Sequence, residues 1–477
     1  MELKKISDVL WEIPKSGNML VPIRVHASKQ MLEKIKQDRT LWQASNCATL
    51  KGVLKNIIVL PDAHEGYGAP IGGIGAFDFD TGIISPGFCG YDISCGVRML
   101  RTNLNENDLK PRIKELIESL FRNVPSGLGS KGKIRLNFNQ LNEVLNTGAE
   151  WAVKNGYGWQ MDLERMEDRG KMEDADDSKV SEKAKQRGIP QLGSLGSGNH
   201  YLEVQRVDKI FLPEIAKAMG IEKEGQITAM IHCGSRGLGH QVATDYIRVM
   251  EKVMPKYGIK IPDRELACAP AQSNEGQDYF KAACSAVNFA LANRQMILHW
   301  VRESFEKIFR KSPEDLGLEL IYDVSHNIIK KEEHEIDGKR KKMWIHRKGS
   351  TRGFPPFHPV LPSIYKNIGQ PVIIGGSMGT CSYLLVGTDS GKETFFSTAH
   401  GAGRVMSRHE ALRQKRGEEV KKDLEKRGIS VRNAGWKTLA EEADFAYKNV
   451  TEVVETCEKA GISKIVCRLK PLGVIKG

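Results

Sequence analysis

The feature that most constrains this chain is how its apolar runs end. "LKNIIVL" leads into "PDAHEG", "QITAMIH" into "CGSRGLGH", "LELIYDVSH" into "NIIKK", "QPVIIGG" into "SMG", and "KETFFSTAH" into "GAGR". Each run is short and rich in β-branched or aromatic residues, and stops at a histidine, a glycine turn, or both. Strand ends that feed glycine loops are where α/β enzymes display reactive side chains, because the sheet holds the loops in place. The pattern recurs without an internal repeat or a Pro/Ser linker. It predicts an α/β (mixed α+β) fold: a single large catalytic domain, 1–477, with central β-sheets flanked by helices. A mostly buried helix is expected over 276–309, and helical spacing continues in "KTLAEEADFAYKNVTEVVETCEKAG" near the C-terminus. Two charged stretches, 161–188 and 330–344, read as a solvated insertion and an exposed hairpin turned by "DG".

The charge balance narrows the partners. Lysine and arginine outnumber acids 71 to 59, a net +12, which suits a polyanion such as nucleic acid. No N-terminal apolar h-region and no run long enough for a membrane span are present. The nine cysteines are scattered without a CxxC pair, as expected of free thiols in a reducing compartment. The expectation is a soluble, cytoplasmic protein that does not engage a membrane.

Twelve histidines have to be sorted. His334 lies in a charge run and is expected to be exposed. His299 and His409 fall on helical stretches where packing explains them, and His26, His240, His346 and His358 stay open. His64, His200, His232, His326 and His400 each sit at a strand end or beside glycine. Near them in type is "GFCGYDISCGVR" (87–98), which sets Asp92 and Cys95 three residues apart in an otherwise uncharged, glycine-framed segment. Histidine, cysteine and aspartate are the usual ligands of a divalent transition metal, and a bridging thiolate would let two ions share the set. The residue types leave a packed thiol beside a satisfied carboxylate equally open, and spacing does not select the metal.

Phosphate-handling segments are plentiful. "GSLGSGNH" (193–200), "GGSMGT" (375–380) and "HGAGR" (400–404) can turn backbone N–H groups toward phosphate oxygens, and Arg236 and Arg404 each follow a candidate histidine by four residues. There is no GxxxxGK[ST] loop, no K-x-D-G of ordinary nucleic-acid ligases, and only one H-x-[ST], His26 to Ser28. A covalently carried nucleotide would therefore sit on a histidine.

In order, "PDAHEGYGAPIGG", "GYDISCGVR", "LGSGNHYLEV", "HCGSRGLG", "YDVSHN", "HRKGSTR", "GGSMGT" and "STAHGAGRVMSR" resemble the blocks of the RtcB family of RNA-splicing ligases, and the length resembles its archaeal branch. The resemblance implies an RtcB-type catalytic domain and a GTP- and Mn²⁺-dependent RNA ligase. Such an enzyme joins 2′,3′-cyclic phosphate or 3′-phosphate ends, as on tRNA exon halves, to 5′-hydroxyl ends. By the same resemblance Asp92, Cys95, His200, His232 and His326 hold one or two Mn²⁺, and His400 becomes guanylylated. Asn199, Arg236 and Arg404 act on RNA termini or GTP phosphates. The GTP or GMP pocket takes in Asn199, His200, Glu203, His326, Asn327, Gly375, Gly376, Ser377, Met378, Ser382, His400, Gly401, Ala402, Gly403 and Lys476. Archease is the implied activating partner. Cys89 and Phe88 depart from the family pattern, as do Phe357 and His358; Cys89 is expected to be a neighbour of the site, not a ligand. Rival classes are a metal-dependent phosphodiesterase that needs no His400, and an RNA-binding protein with a closed structural zinc site.

Overall fold

The structure, a computed structural model, describes residues 2–477. Two sheets organise it. The first runs Lys4–Lys5, Leu10–Ile13, Ile23–His26, Val53–His64, Ile71–Asp78, Lys339–Lys348, Asn327–Ile336 in spatial order. The second runs Leu320–Ser325, Gly96–Asn105, Gln226–Cys233, Tyr201–Ile210, Ser463–Lys476, Ser382–Gly387, Pro371–Ile374, with Ser430–Asn433 laid parallel against Ser463–Lys476. Nearly all neighbours are antiparallel, Ile23–His26 with Val53–His64 being the other parallel pair. The fold is mixed α/β as expected, with helices against the sheets.

The chain passes directly from one sheet to the other at His326. Leu320–Ser325 ends in the second sheet and Asn327–Ile336 begins in the first. The largest apolar cluster draws on residues from Ile13 to Ile475, so both sheets share one core. Across it runs the helix Asn274–Phe309, about 54 Å long at 1.5 Å per residue. Ser273 caps it by accepting from the Gly276 N–H. Its middle, "AACSAVNFALANRQMIL", is buried on every side. Of the polar residues there, Asn288, Asn293, Arg294 and Gln295 find partners on other elements, while the Ser285 hydroxyl is buried without one.

The charged stretches behave differently from one another. Residues 330–344 do form a hairpin that turns at Asp337–Gly338, with Lys339, Arg340, Lys341 and Lys342 exposed. His334, expected in solvent, is buried: the period-two alternation of a strand turns it inward against Phe396, where its Nε2 lies 2.7 Å from Glu332. Residues 161–188 are not simply solvated. Asp162 makes a bidentate pair with Arg302 at 2.6 and 2.7 Å, and Glu167 meets Lys330, all four buried. The helical spacing near the C-terminus is broken into Trp436–Glu441 and Val450–Lys459. The interruption carries Glu442 and Tyr447, whose side chains hydrogen-bond each other.

Burial would raise the Asp162 carboxyl, but Arg302 holds it below its ordinary value. A carboxyl lowered on folding adds stability above its unfolded pKa and loses it as pH falls through the folded one. Removing one partner of a buried pair strands the other charge, so Asp162→Ala should cost about 3–5 kcal/mol at pH 7. Asp174→Ala, which removes an exposed partner of Lys331, should stay within about 1 kcal/mol, both variants being read by urea titration against the wild type.

Candidate active site

Four adjacent strands of the second sheet place the candidate ligands along one edge. In the order Leu320–Ser325, Gly96–Asn105, Gln226–Cys233, Tyr201–Ile210, the residues at that edge are His326, Cys95, His232 and His200. The register fixes them: Gly96 lies opposite both Ser325 and Cys233, and His232 opposite both Val97 and Tyr201. A side chain at 96 is excluded, because a Cβ there would lie 2.1 Å from the Val324 carbonyl. The turn before Cys95 is stitched to the strand crossing. Ser94 N–H donates to Asn327 O, His326 N–H to Cys95 O, and the Ser94 and Ser325 hydroxyls lie 2.8 Å apart. Ser94 takes a left-handed φ of +56°, a backbone strain that these bonds hold in place.

The side chains converge. Cys95 Sγ is 3.2 Å from His232 Nε2 and 3.5 Å from His200 Nε2. His232 Nε2 is 3.3 Å from His326 Nε2, and His200 Nε2 is 2.8 Å from Asp92 Oδ2. His200 Nδ1 faces the Leu195 carbonyl at 2.9 Å, and His232 Nδ1 faces the Asn199 carbonyl at 3.1 Å. A carbonyl only accepts, so each Nδ1 carries a proton. Burial keeps His232 neutral, with an Nε2 lone pair toward the thiol; burial would lower His200 too, but Cys233 and the Asp92 carboxylate beside its Nε2 hold it well above its ordinary value. Gly234 leaves the room Asp92 needs, since a Cβ there would lie 2.5 Å from the carboxylate.

This donor set suits a cation. Cys95, His232 and His326 form one group with ligand atoms within 4.8 Å of one another, and Asp92, Cys95 and His200 form a second. Cys95 belongs to both. His326 Nδ1 and Asp92 Oδ1 are buried without a hydrogen-bond partner. Burial holds His232 and His326 well below their ordinary pKa, with neighbouring histidine charge adding to it. Burial would raise Asp92, but His200 and Arg236 hold it down at about 2. Burial, then Asp92, pushes the Cys95 thiol up to about 12, so forming the thiolate needs a compensating positive charge. Two neutral imidazoles, a His200–Asp92 pair and a thiol whose protons a cation would displace fit one or two divalent transition metals.

His400 closes the site from the first sheet's side. It follows the short strand Ser397–Ala399, and its ring centroid lies 4.8 Å from that of His326. Its Nδ1 is 2.6 Å from Asp62 Oδ2, and its backbone N–H donates to the same oxygen at 3.0 Å. Burial opposes ionisation of Asp62, but His400 beside it keeps its carboxyl lowered. An Nδ1–H held by a carboxylate leaves the His400 Nε2 lone pair free, the arrangement that activates a nucleophilic imidazole. Lys448 Nζ donates to the Pro61 and Ala63 carbonyls on either side of Asp62. The other strand-end histidine, His64, shares the cavity wall with His400 but joins neither ligand group.

A cavity of about 720 Å³ opens here, lined by His232, His400, Asn199, Arg404 and His64 among others. It is large enough for a nucleotide. Arg404 is held by the Glu441 and Met406 carbonyls and lies 3.4 Å from Glu442. Arg236 opens the helix Arg236–Val253, and its guanidinium packs on Gly196. A smaller cavity of about 20 Å³ is lined by Glu203, Gly376, Ser377, Met378 and Lys476, and shares Asn199, Tyr201, Gly376 and Tyr447 with the large one. At that size it holds a water, and a purine would require its walls to part. Burial raises the Glu203 carboxyl well above its usual range and lowers Lys476 to about 8.

The loops around these cavities are joined: Ala402 N–H donates to Gly375 O, Gly376 N–H to the Ser382 hydroxyl, and Ser377 to Asp444. Gly401 bridges Gly375, and Gly403, at φ +73°, passes so close to the Asp62 carbonyl that no Cβ fits. Asn327 stands apart from both cavities, bonding the Asp92 carbonyl and the Gly349 N–H as scaffold. Cys89 is buried outside both ligand groups. Four residues of this region were not singled out by sequence: Asp62, Glu442, Tyr447 and Cys233, the last 3.8 Å from His200 Nδ1. Asp62 left one usable sign, a carboxylate at the end of an apolar strand, two residues before His64.

A family model described as tRNA-splicing ligase RtcB matches residues 43–477. The chain belongs to the RtcB family. It is 59% identical over 477 residues to a tRNA-splicing ligase RtcB of Thermococcus kodakarensis, covering 100% of this chain and 99% of that protein. It is 54% identical over 478 residues to the same-named protein of Archaeoglobus fulgidus, again covering 100% and 99%. A same-named protein of Pyrococcus abyssi is 61% identical over 385 residues, which are 80% of this chain but 42% of that longer protein.

Cys95 is common to both ligand groups, so Cys95→Ala should abolish stoichiometric metal binding measured by elemental analysis after Mn²⁺ equilibration. Cys89→Ala should bind as the unaltered protein does.

Proposed function

We propose that this protein joins RNA 2′,3′-cyclic phosphate or 3′-phosphate ends to 5′-hydroxyl ends, using GTP and Mn²⁺, with tRNA exon halves as substrates. Membership of the RtcB family makes it an RNA ligase; the chemistry and the residues below are our reading. The observation that carries it is the pairing of His400 with Asp62 in one cavity beside two ligand groups that share Cys95.

A cyclic end first takes up water to become a 3′-phosphate. His400 Nε2 attacks the α-phosphorus of GTP, a P–N bond forms, the bond to the β-phosphate oxygen breaks, and pyrophosphate leaves. Asp62 keeps the Nδ1 proton in place and stabilises the positive charge that develops on the ring. The RNA 3′-phosphate then attacks the same phosphorus and takes GMP from His400. The 5′-hydroxyl attacks the now activated 3′-phosphate, loses its proton, and expels GMP as the phosphodiester forms. Asn199, Arg236 and Arg404 hold the phosphates and termini, Arg404 already fixed in place by Glu442 and two carbonyls. Glu203 and Lys476, with the Gly375–Met378 and Gly401–Gly403 loops and Ser382, receive the guanine nucleotide. Divalent ions held by Asp92, Cys95, His200, His232 and His326 would neutralise charge on the phosphoryl oxygens and leaving group.

The same reading puts the work in the cytoplasm, with archease as the proposed activator. Among the described residues no helix is long and apolar enough to cross a membrane.

The protein incubated with Mn²⁺ and α-labelled GTP should acquire an acid-labile covalent label that His400→Ala does not. An unlabelled wild-type protein would refute the mechanism. Thiolate and imidazole bind Zn²⁺ more tightly than Mn²⁺, so added Zn²⁺ should occupy the site and lower ligation, while Mn²⁺ supports turnover. Full ligation with Zn²⁺ alone would contradict this assignment.

A further inference from the structure

A strongly basic stretch lies directly beside the cavity. Residues 404–437 hold eleven lysines and arginines against five acids, half of the chain's net +12. The segment starts at the cavity wall, where Ser407, Arg408 and Glu410 line the opening. The helix Arg408–Gln414 leads on from there, packing on Trp436–Glu441, which packs in turn on Gly417–Lys426. Beneath, Val420, Leu424, Ile429, Val431 and Leu439 close into an apolar cluster that includes Met378. This face is therefore rigid, and Met378 ties it to the glycine-rich loop beside the small cavity.

Its surface is chemically specific. Trp436 is 46% exposed, and Lys421 Nζ stands 5.7 Å from its ring centroid. Lys415 is matched by Asp423, Lys421 by Glu425, Arg427 by Asp444, Arg432 by Glu118 and Lys437 by Glu441, and Arg404 and Arg408 share Glu442. The side-chain nitrogens of Arg413, Arg416, Lys422 and Lys426 have no carboxylate within 4.0 Å among the described residues. Next to Trp436, Ala434 meets the loop at Gly127, where Leu128 is 94% exposed.

An open indole and unpaired cations ask for a flat ring to cover one and negative charge to neutralise the others. Single-stranded RNA offers both along one chain, bases for stacking and phosphates for the cations. Continuity with the cavity decides between RNA and an acidic protein, since an RNA end that reacts at His400 has to leave the cavity across some adjoining surface. We propose that this face is the track on which the RNA substrate lies, with Trp436 stacking on a base and Arg413, Arg416 and Lys422 pairing with phosphates. The inference rests on the ligase reading, which makes RNA the substrate.

The test uses the full chain. Fluorescent single-stranded RNAs, one ending in a 3′-phosphate and one beginning with a 5′-hydroxyl, are titrated by anisotropy over a range of salt. The proteins are wild type, Trp436→Ala, Trp436→Phe and the triple variant Arg413→Glu/Arg416→Glu/Lys422→Glu. Labelling by GTP is measured separately without RNA. Trp436→Ala should weaken binding of at least one RNA about fivefold or more, and Trp436→Phe should restore most of it. The triple variant should flatten the log–log salt slope by about 2, at roughly 0.7 per phosphate contact. Every variant should take up the GTP label as the wild type does. The proposal falls if affinity and slope are unchanged, the result expected if the face serves an acidic protein. It falls equally if Trp436→Phe is as weak as Trp436→Ala, or if RNA binding and GTP labelling decline together. Absence of label on the wild-type protein refutes the ligase reading instead, and leaves the RNA titrations to judge the track.

Discussion

The site depends on a buried guanidinium. Arg294, midway along Asn274–Phe309, is fully enclosed and spends its donors on two strands and the turn that opens a third. It bonds the Asp323 carboxylate at 2.8 Å, the Ser94 carbonyl at 2.7 Å and the Cys233 carbonyl at 2.9 Å. Asp323 is shared with Arg98, also fully buried. The backbones before Cys95 and after His232, and the strand leading to His326, are thus fixed to one planar group. Desolvating so much charge is costly and is rarely the cheapest route to stability. What it provides here is position, because a fork of N–H donors fixes direction as well as distance.

The same economy governs His400, the proposed nucleophile. Asp62 accepts from both the backbone and the ring of His400, so one carboxylate sets the loop and the tautomer together. Lys448 holds the carbonyls on either side of Asp62. Carbonyls, not side chains, hold the Nδ1 protons of His200 and His232. The reactive lone pairs are therefore dictated mainly by main-chain geometry, which glycines at 96, 234 and 403 permit by allowing close approach.

This division explains what the sequence could show. Strand ends were legible because an apolar run that stops at histidine and glycine leaves a local signature, and His200, His232, His326 and His400 do come together with Asp92 and Cys95. The long helix was legible from composition alone. Arg294 was not, since nothing near it in sequence marks an arginine that will bond residues far away on two strands and a turn. Asp62 escaped for a related reason, its partner lying 338 residues on. His334 and the 161–188 stretch misled because charge density was read as exposure. A two-residue period buried His334, and buried cations at Arg302 and Lys330 drew Asp162 and Glu167 inward. Glu442 and Tyr447 fall where helical spacing continues, and only the break in the helix reveals their place beside Arg404.

The crossing at His326 has a further consequence. One residue is at once the last link of a strand in the second sheet, the first link into a strand of the first, and a member of the ligand group. The candidate ligands Cys95, His200 and His232 lie along one sheet's edge, while Asp62 belongs to the other sheet. The active centre is therefore a weld line between two layers, and neither layer can carry a partial version of it. Any shear between the sheets would be felt at His326 before it disturbed either hydrogen-bonded ladder, so catalytic geometry and the docking of the two sheets are one mechanical quantity.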